Sequence, residues 1–363
     1  MYSKRDVARP KTRLGLCAVV LAAFVLSGCE FLGPRALEAG RTDYNAAAKS
    51  TAVDQLLLNI VRMRFNDRPY FLEVSSISST AEAGAAFGGT DEKGIEGGIR
   101  YLERPTIIYT PLTGESFVRQ LLSPVTLETL LLLRDAGWEM DDILSVFAER
   151  MNGVPNASTG GDSTPEGVPE FQEFKELGEA VDELEDRDFL LFAAGDAVGG
   201  NEIVIAVDPR ARGTQAFVTF TRILKLNPEA PVYRMRVGVI QDSEDTIVIK
   251  TRPIMSALFF VGQGVQVPQE WLDTGSVNFA VDPLGNPFDW DQVHGDLILI
   301  KSSESEPPNS VAYSKVEYAN RWFYIKAGDV DSKETLTMLS IVLTLKAGGI
   351  KTQRPVLTLP VGG

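Results

Sequence analysis

The feature that most constrains the fold is a pair of extended segments separated by the polar turn Thr90–Gly94. The first runs from Tyr70 to Gly89 and is rich in alanine and serine. The second runs from Ile95 to Thr110 and contains two adjacent glycines. Extended patterns on both sides of a polar, glycine-containing turn predict a long antiparallel hairpin.

Read with a period of two, each segment places small and apolar residues on one face. These are Ala81, Ala83, Ala85 and Phe87 in the first segment and Ile95, Gly97, Ile99 and Tyr101 in the second. Glu82, Glu96 and Arg100 fall on the opposite face. One interpretation is a glycine-rich surface or edge hairpin. The other is a hairpin that joins copies of the chain in a membrane pore, since a transmembrane strand needs only about 9–11 residues.

The first 28 residues have the parts of a secretory signal peptide. Five basic residues and one aspartate precede Leu14–Leu26, which carries no charge, and the small residues Ser27 and Gly28 follow. A permanent membrane helix needs about 20 apolar residues, so this run is too short for one. The pattern is typical of a leader that is removed from the mature protein.

The residues Leu26-Ser27-Gly28-Cys29 resemble the lipobox of bacterial lipoproteins. The resemblance implies that the Cys29 thiol receives a diacylglyceryl group and that the chain is then cut before Cys29. The new N-terminus is often acylated too. Glu30 follows, and in Gram-negative members a residue other than aspartate there directs the protein to the outer membrane. The alternative is an ordinary signal peptide, or an uncleaved anchor, with a chance match.

Cleavage before Cys29 would leave 335 residues, change the net charge from −14 to −18 and remove Cys17. With the Cys29 thiol acylated, the mature chain is expected to have no disulfide, cysteine nucleophile or thiolate metal site. Its negative charge argues against nucleic acid and against charge-driven adhesion to anionic lipid. The expected partner is membrane lipid, held by two or more acyl chains at about 0.8 kcal/mol per buried CH₂.

After the signal, helical and strand patterns alternate, which predicts an α+β fold of mixed sheets covered by helices. Residues 29–41 read as a tether, and residues 42–151 as a region of helix, hairpin and further helices. Asn152–Glu170 consists almost entirely of turn formers and predicts a linker or long loop. Residues 171–363 form the predicted C-terminal α+β region.

Several local patterns give specific expectations. The first helix is expected to begin at Thr42 or Asp43, and its apolar face predicts either core packing or a groove for a partner. Further expectations are a helix over Asp141–Met151, a strand over Ala216–Leu226, a hairpin-like turn at Gln241–Asp245 and a capping box at Asp331–Glu334. The sequence also predicts a helix cap at Thr126, a buried helix that starts at Arg252-Pro253 and a hairpin that turns at Ala319-Asn320.

Four segments resemble those of a family of uncharacterised bacterial outer-membrane lipoproteins. They are LLLNIVRMRFNDRPYFLEVSSIS, ERPTIIYTPLTGESFVRQLLSP, SALFFVGQGVQVP and NRWFYIKAGDVDSKETLTMLSIVLTL, and they are spread over most of the mature chain. That family has no assigned activity. The resemblance therefore supports the lipoprotein interpretation and implies no catalytic residue.

Catalytic signals are weak throughout the chain. The only histidine, His294, is accompanied by no G-x-S-x-G motif. Asp289, Asp291 and Asp296 lie near it, but their spacing fits neither a zinc helix motif nor an EF-hand, so an acidic turn is the simpler interpretation. Nothing singles out a carboxylate pair among 49 acidic residues. The sequence thus predicts one site, lipid attachment at Cys29, with no catalytic residue, metal or cofactor.

Three functional hypotheses follow. The first is a non-enzymatic lipoprotein at the periplasmic face of the outer membrane that binds another envelope protein or helps to assemble one. The second is a homo-oligomeric export or secretion pore that inserts the hairpin at 70–110. The third is a periplasmic hydrolase built on His294 or on a carboxylate pair.

Overall fold

The computed structural model describes residues 32–88, 96–157, 168–195, 201–295 and 297–348. The chain divides into two compact units, Met1–Ala52 and Val53–Gly363. The described part of the first unit is helical. The second unit contains all of the strands in the described residues, together with the hydrophobic core.

Ten α-helices lie in the described residues. They are α1 (Leu32–Arg64), α2 (Glu115–Leu122), α3 (Leu127–Asp135), α4 (Met140–Phe147), α5 (Gln172–Asp186), α6 (Gln215–Leu224), α7 (Ile254–Gly262), α8 (Gln269–Asp273), α9 (Asp291–His294) and α10 (Val330–Gly348).

The strands in the described residues form three sheets. The strands are β1 (Leu72–Gly88), β2 (Glu96–Pro111), β3 (Ala148–Met151), β4 (Val154–Pro155), β5 (Leu190–Ala194), β6 (Glu202–Val207), β7 (Val232–Val237), β8 (Thr246–Thr251), β9 (Lys301–Ser303), β10 (Ala312–Tyr318) and β11 (Arg321–Lys326). One sheet has the order β4-β3-β8-β7-β6-β5, a second has the order β10-β11-β9, and β1 pairs with β2 alone.

This architecture confirms the predicted α+β class. The six-stranded sheet is mixed, because β7 and β8 are parallel while its other pairs are antiparallel. Helices supply much of the core, including the fully buried Phe147 and Phe217, and Tyr233 and Phe323 join them from the sheets. The predicted long hairpin near the N-terminus is also present, as β1 and β2.

The apolar run of the first helix is core. Leu57, Ile60 and Val61 on α1 are completely buried, and Leu56 is nearly so. Of the two interpretations of this face, the structure supports packing within the molecule rather than an open groove.

The first helix starts earlier than the sequence pattern indicated. It begins at Leu32 instead of Thr42 or Asp43, so most of the segment read as a tether is helical. Pro34 lies in its first turn, where the missing N–H is not needed, and the following residues are mainly good helix formers. Cys29 lies outside the described residues.

The turn-rich segment Asn152–Glu170 does not separate two sheets. Strand β3 precedes it, yet β3 pairs with β8, which follows it. The start of the segment is itself packed: the Asn152 carboxamide donates to the Leu224 carbonyl (2.7 Å) and accepts from the Val248 amide (2.6 Å). Residues 158–167 lie outside the described residues.

The helix predicted over Asp141–Met151 is shorter than expected. It ends at Phe147, and Ala148–Met151 forms strand β3. Ala148 and Met151 are buried, and the strand fills a position beside β8. Tertiary pairing therefore outweighs the local helical preference.

The strand predicted over Ala216–Leu226 is wrong, because Gln215–Leu224 is helix α6. Its β-branched and aromatic residues favoured a strand by composition alone. The Thr214 hydroxyl caps the helix by accepting from the Phe217 amide at 3.3 Å. Buried Phe217, Phe220 and Leu224 recur at helical spacing, and this packing decides the conformation.

The hairpin-like turn predicted at Gln241–Asp245 is also wrong, since β7 and β8 run parallel. Arg234 lies beside Thr246 in the register, so residues 238–245 return the chain to the level at which β7 began. The Gly238 amide donates to the Ile249 carbonyl (3.0 Å), which fixes the start of this return.

Two further local expectations have different outcomes. The hairpin of β10 and β11 turns at Ala319-Asn320, as predicted, and both residues have positive φ. The capping box at Asp331–Glu334 is shifted, because Asp329 is the capping residue. Its carboxylate accepts from both the amide (3.1 Å) and the hydroxyl (2.8 Å) of Ser332.

Candidate interaction site on the hairpin

The root of the hairpin is fixed to α1 by two carboxamide side chains. Gln55 donates to the Leu72 carbonyl (2.9 Å) and accepts from the Leu72 amide (2.6 Å). Asn59 makes the same pair of bonds with Tyr70, at 2.9 Å to the carbonyl and 2.8 Å from the amide. Each side chain therefore forms the pair of backbone hydrogen bonds that a neighbouring strand would form with this segment.

Helix geometry explains why this pair matches a strand. Residues four apart on a helix lie about 6 Å apart along its axis. Residues two apart on a strand lie about 6.6 Å apart. The spacing of Gln55 and Asn59 along the helix therefore matches the spacing of Leu72 and Tyr70 along the extended segment. Asn59 is fully buried, so its bonds to Tyr70, together with one that its Oδ1 accepts from Arg62 (3.3 Å), satisfy an amide that the core would otherwise leave unpaired.

The second arm is fixed at the same level. The Leu112 amide donates to the Phe71 carbonyl at 2.9 Å. The Phe71 ring packs edge-on against Phe117 of α2, with 5.7 Å between ring centroids. Both arms of the hairpin therefore leave the body from a rigid base.

Beyond this base the hairpin has few partners. In the described part of the chain β1 and β2 pair with no third strand, and neither makes an extensive contact with another helix or strand. Near the base Tyr70, Ile107 and Tyr109 are 43%, 42% and 46% exposed. A hairpin of this length with exposed aromatic and aliphatic residues near its base is a candidate interaction site.

The strand register agrees with the predicted faces in part. Ala83 lies opposite Tyr101, Ala85 opposite Ile99 and Phe87 opposite Gly97, so these alternate positions share one face. Ala81 belongs to the same face but lies opposite Glu103, so this face also has a charged position. Glu82 is opposite Leu102, Gly84 opposite Arg100 and Gly88 opposite Glu96, which places the three charged positions on the other face. Ile95 lies outside the described residues.

A second candidate is an acidic cleft of about 240 Å³ between the start of α4 and the end of α5. It is lined by Arg134, Gly137, Trp138, Glu139, Asp182, Glu185 and Asp186. Carboxylate oxygens of Glu139, Asp182 and Asp186 lie within 4.8 Å of one another, and those of Glu139, Asp141 and Asp142 do so as well. Oxygen ligands at this spacing suit a hard cation such as Ca²⁺.

Burial, and then crowding with other acids, raises the pKa values of the acids beside the cleft. Burial, and then the charge of Asp142, raise the pKa of Asp141 to about 7. Burial also raises the pKa of Asp142, with Glu334 and Asp331 of α10 adding to the effect.

Part of the cluster is already used by the fold. Glu185 accepts from the Arg134 guanidinium (3.0 Å) and from the Met140 amide at the start of α4 (2.8 Å). We do not assign a cation site to the remaining acids, because exposed acidic groups are common in proteins without a bound ion.

The structure places His294 in the core. It is 2% exposed, and its Nε2 lies 2.9 Å from the Phe260 carbonyl oxygen, to which it donates. The ring also packs against Phe260 and Trp290. Burial lowers its pKa to about 4, so the imidazole is neutral at pH 7. A histidine held in this way is poorly placed to reach a substrate.

The acids near His294 do not form a site with it. Asp289 and Asp291 are exposed, and the Asp289 carboxylate accepts from the Asp291 amide at 3.1 Å, as in an ordinary turn. Among the described residues no carboxylate joins His294 at metal-binding spacing. Asp296 lies outside those residues.

Sequence reasoning missed the buried Arg252. Its guanidinium donates to the carbonyls of Ser145 (3.1 Å), Val146 (3.0 Å) and Asn156 and lies 3.9 Å from the centroid of the Phe260 ring. Burial lowers its pKa to about 9. The side chain holds together the end of α4, the segment after β4 and α7. An Arg-Pro pair at a predicted helix start gave no sign of this role.

No family model, curated protein or solved structure matches this chain. None of the helices in the described residues has both the length and the apolar character that crossing a bilayer requires.

Proposed function

We propose that this chain is a lipid-anchored lipoprotein of the outer membrane that binds another envelope protein, or a further copy of itself, from the periplasmic face, without catalysis. Acyl chains on Cys29 hold it at the membrane. The hairpin of β1 and β2 is its binding element. The observation that carries this proposal is that the hairpin is firmly fixed at its root, yet pairs with no third strand among the described residues.

Several features support a binding role over catalysis. The histidine that a hydrolase would use is buried and donates to a backbone carbonyl. Exposed Tyr70, Ile107 and Tyr109 lie at the foot of the hairpin, and tyrosine is enriched at protein interfaces. The sequence Leu26–Cys29 supports the anchor.

The anchor is tested by mass spectrometry of the protein purified from membranes. The expected N-terminal peptide begins at acylated Cys29, and Cys29→Ser abolishes both the acyl mass and membrane retention. A bare N-terminus, or an intact leader, would overturn this half of the proposal.

The binding role is tested by site-specific photo-crosslinking in cells. A photoreactive residue at Ile107 or Tyr109 is expected to give one discrete product. The matched control position is Val218 on α6, which is exposed to a similar degree, at 47%. Equal labelling from both surfaces would contradict a dedicated site on the hairpin.

A pore is the second candidate function, and the strand register favours it. Alternate positions sort into one face of mostly small and apolar residues, which also carries Glu103, and one that carries Glu82, Glu96, Arg100 and Arg104. Strands of 17 and 16 residues exceed the roughly 9–11 that a tilted transmembrane strand needs. Detergent-extracted protein would then release dye from liposomes, and deletion of Ala81–Ile99 would stop the release. No release from liposomes that contain the intact protein would reject the pore.

A further inference from the structure

We infer that the partner of the hairpin is the hairpin of a second copy of this chain, with β1 of one copy paired to β2 of the next. This inference rests on the proposed role of the hairpin as a binding element, and it names the partner. The argument uses the register, the interruptions of the strands and the positions of charge.

Among the described residues, each strand of the hairpin is paired along one edge only. β1 pairs with β2 over almost its whole length, and no other strand in the described residues continues the sheet. An isolated two-stranded hairpin is marginally stable in water, and open edges are templates for further pairing. The addition of strands from another copy would satisfy both edges.

Two interruptions confine this pairing to the outer part of the hairpin. The register shifts between Val74 and Ser76, which marks a bulge near the root of β1. Pro105 lies within β2, opposite Ser79, and a proline inside a strand is tolerated where its missing N–H faces an open edge. Bulges and prolines are devices that block edge pairing. Beyond them, Thr80–Gly88 and Glu96–Arg104 contain neither.

Charge selects which edges meet. Between Ser76 and Gly88, β1 carries one charged residue, Glu82, whereas Glu96–Arg104 of β2 carries two arginines and two glutamates. Both arginines share the face of Glu82, whereas Glu103 lies on the other face and Glu96 lies farther along, opposite Gly88. Within one copy Glu82 lies opposite Leu102, so Arg100 and Arg104 occupy the two diagonal positions. If the next copy keeps this register, its β2 repeats the arrangement on the open side of Glu82. Pairing of β1 with β1 would instead bring two Glu82 residues to the same edge.

This contact uses different surfaces on the two copies. Such a heterologous contact propagates, as a closed ring or as a growing filament, and does not stop at a dimer. The expected assembly is therefore larger than two chains.

The test uses full-length chains in detergent with Cys17 and Cys29 both replaced by serine, so that an introduced thiol is the only one. One chain carries Ala83→Cys on β1, and a second, differently tagged chain carries Tyr101→Cys on β2. Oxidation of the mixture is expected to give disulfide dimers that contain both tags. Ala83→Cys chains oxidised alone are expected to stay uncrosslinked. Crosslinks in the Ala83→Cys chains alone, or no mixed product, would overturn the inference.

A charge variant gives an independent readout in the same background. Glu82→Arg is expected to abolish the assembled species in light scattering, because the new arginine would lie beside Arg100 and Arg104 of the next copy. Glu73→Arg is the matched control, since it makes the same change on β1 below the bulge, and it should leave assembly intact. Circular dichroism of both variants checks that they are folded. Assembly that survives Glu82→Arg would contradict the assigned edges.

The outcomes separate this inference from the proposed function. Assembly of the serine-substituted chain, together with a bare N-terminus on the native protein, would leave this inference standing and remove the lipid anchor. An acylated monomer whose Tyr109 position crosslinks to a different protein would support the proposed function and remove this inference.

Discussion

The Gln55 carboxamide bonds both the amide and the carbonyl of Leu72, so a helix side chain takes the place of a neighbouring strand at the root of the hairpin. Asn59 repeats the arrangement with Tyr70 one helical turn later. The direction in which the hairpin leaves the body is therefore set by two polar side chains in an otherwise apolar stretch of α1.

Removal of either carboxamide is expected to loosen the hairpin at its root. Asn59→Ala leaves the amide and carbonyl of Tyr70 without these partners, and the net loss of a hydrogen bond costs about 0.5–1.5 kcal/mol. Hydrogen exchange at Tyr70 and Leu72 should become faster, while the six-stranded sheet keeps its protection. Gln55→Ala should act in the same way, and the exposed Gln215→Ala is the control. Unchanged exchange at Tyr70 would show that these bonds do not hold the hairpin.

The sequence predicted the hairpin because its signals are local. Alternation, a polar turn and glycine together require an antiparallel pair, and the observed strands differ from the predicted ones by one or two residues at each end. The Thr126 cap of α3 and the turn at Ala319-Asn320 were predicted for the same reason.

The features that the sequence did not reveal depend on distant partners. Gln55 and Asn59 are spaced like any polar residues on a helix, and only the position of Tyr70 and Leu72 gives them a role. Helix α6 has the composition of a strand, but its buried residues recur at helical spacing, and their packing makes it a helix. The parallel pairing of β7 and β8 depends on how an eight-residue connection returns, which composition does not specify.

Ala319 is a site where a substitution should stabilise the fold. Its φ is +50°, in the left-handed region that costs an L-residue free energy and costs glycine none. Ala319→Gly is expected to raise the free energy of unfolding by about 0.5–1 kcal/mol in urea titrations. Ala206→Gly, within strand β6, is the comparison and should destabilise. A loss of stability in Ala319→Gly would mean that the alanine side chain contributes more than its backbone conformation costs.

Asp141→Asn should stabilise the protein most at high pH. The pKa of Asp141 is raised to about 7 by burial and by Asp142, so the folded state holds the proton more tightly than the unfolded state does. The contribution of Asp141 to wild-type stability therefore falls as the pH rises from about 4 to 7, and the variant lacks this contribution. At pH 8 the expected gain is about 2 kcal/mol after allowance for solvent screening, and at pH 3.5 it is close to zero. Glu128→Gln, on exposed α3 surface, is the control for loss of one charge.

His294 should produce the opposite pH dependence. Burial lowers its pKa to about 4, so between about pH 6.5 and 4 the unfolded chain is protonated at this position and the folded chain is not. Its contribution to stability is thus complete above pH 6.5 and is lost as the pH falls toward 4, by up to about 1.4 kcal/mol per pH unit. His294→Gln keeps a donor for the Phe260 carbonyl and removes this slope. Urea titrations should be made in the Asp141→Asn background, where the opposing slope of Asp141 is absent. If His294→Gln leaves the slope between pH 6.5 and 4 unchanged, His294 is protonated in the folded protein and its burial does not govern its titration.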